Sequence, residues 1–144
     1  MRRLLLIAAA SLLAGCSASH VANAPEVTDD WQGTWKLVSY TADGETARAD
    51  IEWIVNEDQY VIRGDGITGQ ESYPYRLDSS RKHIDVHHHD TPQGTSGGHF
   101  KGIYEVQGDS LKVCYDLTGQ QYPKSFDAGP GSRQVLYQFQ RQGR

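Results

Sequence analysis

The sequence predicts an all-β domain, a small antiparallel barrel of about eight strands. Three observations carry this. From Trp31 onward apolar and polar residues alternate with a period of two, as on a half-buried strand. Turn-forming residues interrupt that alternation about every 8 to 12 residues, the spacing of sandwiches and barrels. No stretch sustains a helical period, and no internal repeat is visible.

The elements follow in order. Residues 34–41 (TWKLVSYT) form a first strand, ended by Ala42, Asp43, Gly44 and Glu45. Residues 51–55 and 59–63 flank Asn56, Glu57 and Asp58, a hairpin turn. Gly64, Asp65 and Gly66 reverse the chain before a strand at 70–77. Asp78, Ser79 and Ser80 break it ahead of a strand at 83–89. A loop at 90–98, rich in Gly and Thr, leads to a strand at 99–107. Gly108 and Asp109 make a tight turn into 110–117, and a looser stretch at 124–132 precedes the last strand, 134–141.

Parity within each strand selects the core face. Trp35 and Leu37, Trp53 and Val55, Tyr60 and Ile62, and Tyr73, Tyr75 and Leu77 each share a side. So do Ile84 and Val86, Phe100, Tyr104 and Val106, Leu111, Val113 and Tyr115, and Val135, Tyr137 and Phe139. The positions between them are mostly charged, Gln or His. A sheet with one apolar face must wrap around it, and closure also removes the exposed edges.

Composition excludes several classes. A chain of 144 residues suits one domain. Fourteen basic against eighteen acidic side chains, a net charge of -4, argue against a coat for nucleic acid. Two cysteines are too few for a disulfide scaffold or a Cys-based zinc site.

The N-terminus reads as an address. Arg2 and Arg3 precede an apolar run at 4–13, which as a helix rises about 15 Å, half a bilayer core. That is a secretory signal rather than a span. Leu13, Ala14, Gly15 and Cys16 resemble the lipobox of bacterial lipoproteins, in which the cysteine is acylated and becomes the new N-terminus. The resemblance implies a signal peptide at 1–15, a lipidated Cys16 on a flexible tether at 16–30, and a barrel domain at 31–144. Ser17 after the cysteine implies a cell-envelope protein sorted to the outer membrane, facing the periplasm. Two or three acyl chains anchor firmly where one does not.

Trp31-Gln32-Gly33-Thr34-Trp35-Lys36-Leu37-Val38-Ser39 resembles the Gly-x-Trp opening of lipocalin-like domains. With GIYEVQGDSLKVCYD at 102–116 and SRQVLYQFQR at 132–141, the chain is similar to a small lipocalin-like family found in many copies in planctomycete bacteria. The likeness covers residues 31–141 and implies a small β-barrel with no established catalytic activity. It also implies a closing contact between Trp35 and a terminal basic residue, which here is Arg141. Parity agrees, since Arg141 is in phase with Val135, Tyr137 and Phe139; Arg133 shares that phase at the strand's other end and is the alternative. The His-rich stretch departs from the family, so no role for those residues carries over.

That stretch is the one local feature with ligating chemistry. His83, Asp85, His87 and His89 share a face, but the strand spans about 20 Å at 3.3 Å per residue, too far for one ion. If 90–98 is a hairpin loop, His89 lies opposite His99, at a Cβ distance of about 5 Å. His87, His89 and His99 then form a set for Zn²⁺, Ni²⁺ or Cu²⁺ with an open position, against the alternative of a solvated outer face.

Catalysis is hard to assemble. No nucleophile elbow, zinc-protease motif or phosphate loop is present. Cys114 shares the outward face of Lys112 and Asp116 and reads as structure. Eight Tyr, three Trp and three Phe lie mostly on the inner face, where an eight-stranded interior is either filled or holds one small ligand. The expected function is therefore a lipid-anchored, non-enzymatic module that needs no cofactor and binds a small apolar or amphipathic molecule. The alternative is a divalent-metal-binding lipoprotein.

Overall fold

A computed structural model describes residues 31–87 and 98–143. The signal segment, the tether and Cys16 lie outside the described residues, as does His89. The described residues form nine strands: β1 (Gly33–Ala42), β2 (Glu45–Ala47), β3 (Ile51–Val55), β4 (Gln59–Gly64), β5 (Glu71–Asp78), β6 (His83–His87), β7 (His99–Gln107), β8 (Ser110–Asp116) and β9 (Gln134–Gln142). Each pairs antiparallel with its neighbour, and β9 returns to β1 from Thr34↔Gln142 to Ala42↔Val135. The result is an eight-stranded closed barrel, since β2 only extends the line of β3 along the end of β1. The short β2 has three exposed side chains and so no alternation to betray it.

The inner face is the one that parity selects. Trp35, Ile84, Val86 and Val113 are fully buried, with Trp53, Tyr60, Tyr104, Leu111 and Phe139 beside them. A bulge between Leu37 and Ser39 inserts Val38 and reverses the phase of β1. Val38 is therefore exposed, and Tyr40 turns inward against Tyr137, ring centroids 6.4 Å apart.

One end of the barrel is sealed, and we call it the floor. Trp31, just ahead of β1, packs edge-on to Tyr75 and Tyr104 at 5.8 and 5.2 Å, and its carbonyl accepts the Trp35 indole N–H at 2.8 Å. Arg141, paired with Trp35 in the β1–β9 ladder, lays its guanidinium carbon 4.0 Å from the centre of the Trp35 ring. Its Nη1 donates to the Gln32 carbonyl at 2.7 Å, and Asp109 lies 3.6 Å from Nε. Gly33 explains the first residue of Gly-x-Trp: with φ +128°, a Cβ there would stand 2.8 Å from Arg141 Nη1. The glycine leaves the space that the guanidinium fills. Arg133 is exposed at the far end of β9.

The other end is the mouth, where β6 and β8 finish and β7 begins. From there residues 117–133 fold back over the outer face of β8 without forming a strand. The Ala128 carbonyl accepts from Gly44 N at 2.8 Å, Asp43 accepts from Gly131 N at 2.7 Å, and the Tyr122 hydroxyl donates to Asp85 at 2.7 Å. Asp116 anchors the start of the segment. Its carboxylate accepts from the Thr118 amide and hydroxyl, at 2.9 and 2.8 Å, and from the Gln121 amide at 3.1 Å. Burial alone would raise its pKa, but these hydrogen bonds outweigh burial and hold it below the usual carboxylate range.

Candidate functional site

The barrel interior is largely filled by stacked rings. Trp53 is the centre, with Phe139 at 4.4 Å, Tyr60 at 4.6 Å and Tyr137 at 5.6 Å between centroids. Filling stops short of the mouth. A cavity of about 190 Å³ remains there, lined by Trp53, Tyr60, Ile62, Phe100, Tyr115, Leu117 and Tyr137. Gly102 on β7 helps shape it, because a Cβ at that position would meet the Tyr115 ring at 2.7 Å and Ile84 at 2.9 Å. The missing side chain lets the Tyr115 ring lie across β7.

The polar content of this cavity is small and specific. Tyr115 is buried, and among the described residues no hydrogen bond of ordinary geometry reaches its hydroxyl. The Tyr60 hydroxyl lies beside it, close enough for the two phenols to interact by a side-chain hydrogen bond as well as by charge. Burial raises both phenols, and Tyr137 too, above the ordinary tyrosine value, so all three stay protonated and can donate. A cavity of ~150 Å³ lined by apolar side chains holds a benzene-sized molecule. The space at the mouth therefore suits one aromatic ring with a small substituent.

On the outer face the histidines meet in a different register from the expected one. His87, not His89, stands opposite His99 in the β6–β7 ladder, which corrects the sequence reading by two residues along β6. The two rings are stacked, centroids 4.5 Å apart and planes within 5°. Lone pairs in parallel ring planes do not converge on one ion, and His99 Nε2 already lies 3.1 Å from Asp85 Oδ1. Among the described residues no three His, Cys, Asp or Glu side chains are placed to hold a metal. The third imidazole of the expected set, His89, lies outside the described residues.

Cys114 has the outward orientation expected but not the exposure this implies. Residues 117–133 cover it completely, and its Sγ lies 3.8 Å from Gln134 Oε1. Burial pushes the thiol up to about 11, with the Asp127 carboxylate adding to the effect. A thiol held protonated and covered is not a poised nucleophile. The sequence offered no signal for this cover, because alternation reports the inner face alone. Comparison of the chain with family models, with curated proteins and with solved structures gives no match.

Proposed function

We propose that this chain is a lipid-anchored, non-enzymatic protein of the cell envelope whose barrel binds one small, flat, mostly apolar molecule carrying a hydrogen-bond acceptor. The carrying observation is the aromatic cavity at the mouth with the buried Tyr115 hydroxyl beside it. An apolar cavity with buried phenol donors in its wall selects by shape first and by hydrogen bonding second. The lipid anchor rests on the likeness of residues 13–16 to a lipobox, and the barrel's place in a lipocalin-like family on the three sequence blocks. A periplasm-facing site on the outer membrane follows from the anchor.

Acetophenone is a suitable probe, having one ring and one carbonyl acceptor. Titrated at millimolar concentration, it should saturate and shift the Trp53 indole resonance. Tyr115→Phe keeps the ring and should weaken acetophenone about fivefold while leaving toluene unchanged, as a net hydrogen bond of ~1 kcal/mol implies. Absence of saturable binding, or equal loss for both probes, would reject the pocket. The anchor is tested apart from it. Cys16→Ala should leave the precursor unprocessed and abolish partition into detergent phase; a normally cleaved, soluble Cys16→Ala product sinks the lipoprotein reading.

A further inference from the structure

A second concavity lies outside the barrel and is much larger, about 870 Å³. Its floor is the outer face of β7, with Ile103 and Glu105. One wall is the turn between β5 and β6, with Arg81 and Lys82; the other is residues 122–126, with Lys124 and Phe126. Both walls are tied down. Asp78 accepts from the Ser80 and Arg81 amides at 3.1 and 3.2 Å and fixes the turn. Tyr122 stacks on His83, centroids 3.8 Å apart and planes within 15°, while its hydroxyl is held by Asp85. The groove is therefore built into the fold before any ligand arrives.

Its charge runs against that of the molecule. The whole chain carries -4, yet Arg81, Lys82 and Lys124 line this one groove with Glu105 as the only carboxylate among its lining residues. Lys112 lies 3.8 Å from Glu105 and offsets it from the side, while the Arg81 partner Asp78 is 3.8 Å away on the exposed turn. An acidic protein repels anions in general, so three cations gathered in a groove make a local exception. Volume narrows the occupant. Small-molecule sites enclose about 300–1,000 Å³, and this groove falls inside that range.

We propose that the groove binds a small amphipathic organic anion, its carboxylate or phosphate between Arg81, Lys82 and Lys124 and its apolar body on Ile103 and Phe126. The site is separate from the cavity at the mouth and does not depend on it.

The full chain titrated with 2-naphthoate tests this. Saturable binding should perturb Ile103 and Phe126 resonances, and it should weaken with added salt. Neutral 2-naphthalenemethanol should bind at least tenfold more weakly. The double variant Arg81→Glu with Lys124→Glu should also lose at least tenfold while melting like the parent, since both side chains are exposed. Acetophenone binding at the mouth should be unchanged in that variant, which separates the two sites. The proposal is overturned if 2-naphthoate fails to bind at millimolar concentration. Equal binding to the charge-reversed variant, or perturbation centred on Trp53 and Tyr115, overturns it as well.

Discussion

Replacing Trp35 by alanine is expected to cost about 3–5 kcal/mol, the range for removing a fully buried tryptophan. For a domain of this size that lowers the melting temperature by at least about 12 °C. Arg141→Ala should cost roughly 2–4 kcal/mol, because it removes a desolvated cation–π contact and a charged hydrogen bond to a backbone carbonyl. The two losses should not add. With the guanidinium 4.0 Å from the ring, either substitution already removes the shared contact, and a double-mutant cycle should return a coupling of about 0.5–2 kcal/mol. Arg141→Lys restores charge but not the flat stack on the indole, so it should recover only part of the stability. A coupling near zero would mean that the floor is held by apolar packing alone.

The second large effect is expected at Asp116. Asp116→Ala strips three hydrogen bonds from the start of the segment at 117–133 and leaves the Thr118 and Gln121 amides without their acceptor, a loss of about 3 kcal/mol. The cover over Cys114 then loosens. Alkylation of Cys114, read by mass spectrometry of its peptide at pH 8, should accelerate at least tenfold over wild type. Acid reproduces part of the effect. The folded carboxyl titrates below its unfolded value of about 3.9, so its stabilisation is complete above that pH and disappears as pH falls through the folded value. An unchanged alkylation rate in Asp116→Ala would show that the segment is held without the carboxylate.

These two sites differ in how far the sequence could reveal them. Trp35 was legible because it lies in phase with its strand's apolar residues, and phase is what alternation records. Phase leaves Arg141 and Arg133 equal, and the likeness to the lipocalin-like family chooses between them. Register was not legible. Pairing His99 with His87 rather than with His89 changes the loop by two residues and leaves every side chain on the same face, so parity cannot tell the two apart. The stretch from Asp90 to Gly98 has no short-turn signature that would have set the register. Cys114 and Asp116 failed for another reason. Their outward phase follows from alternation, but burial on the outer face comes from the segment directly after β8, which has no periodicity of its own. Neither phase nor register reveals the cavity at the mouth, because it is the space left over where side chains from five strands and Leu117 stop short of one another.

Pairing the first long strand with the last has a kinetic consequence. Trp35 and Arg141 meet across nearly the whole described chain, whereas most other ladders join neighbours in sequence. Loop-closure entropy opposes that contact until the intervening hairpins have shortened the effective separation. Closure is then a late event, and refolding should fall in the millisecond-to-second range typical of non-local β topologies. Until the C-terminal strand arrives, β1 and β8 each present an open edge. A chain released before residue 134 carries both edges permanently, ready to pair with another such chain rather than with itself.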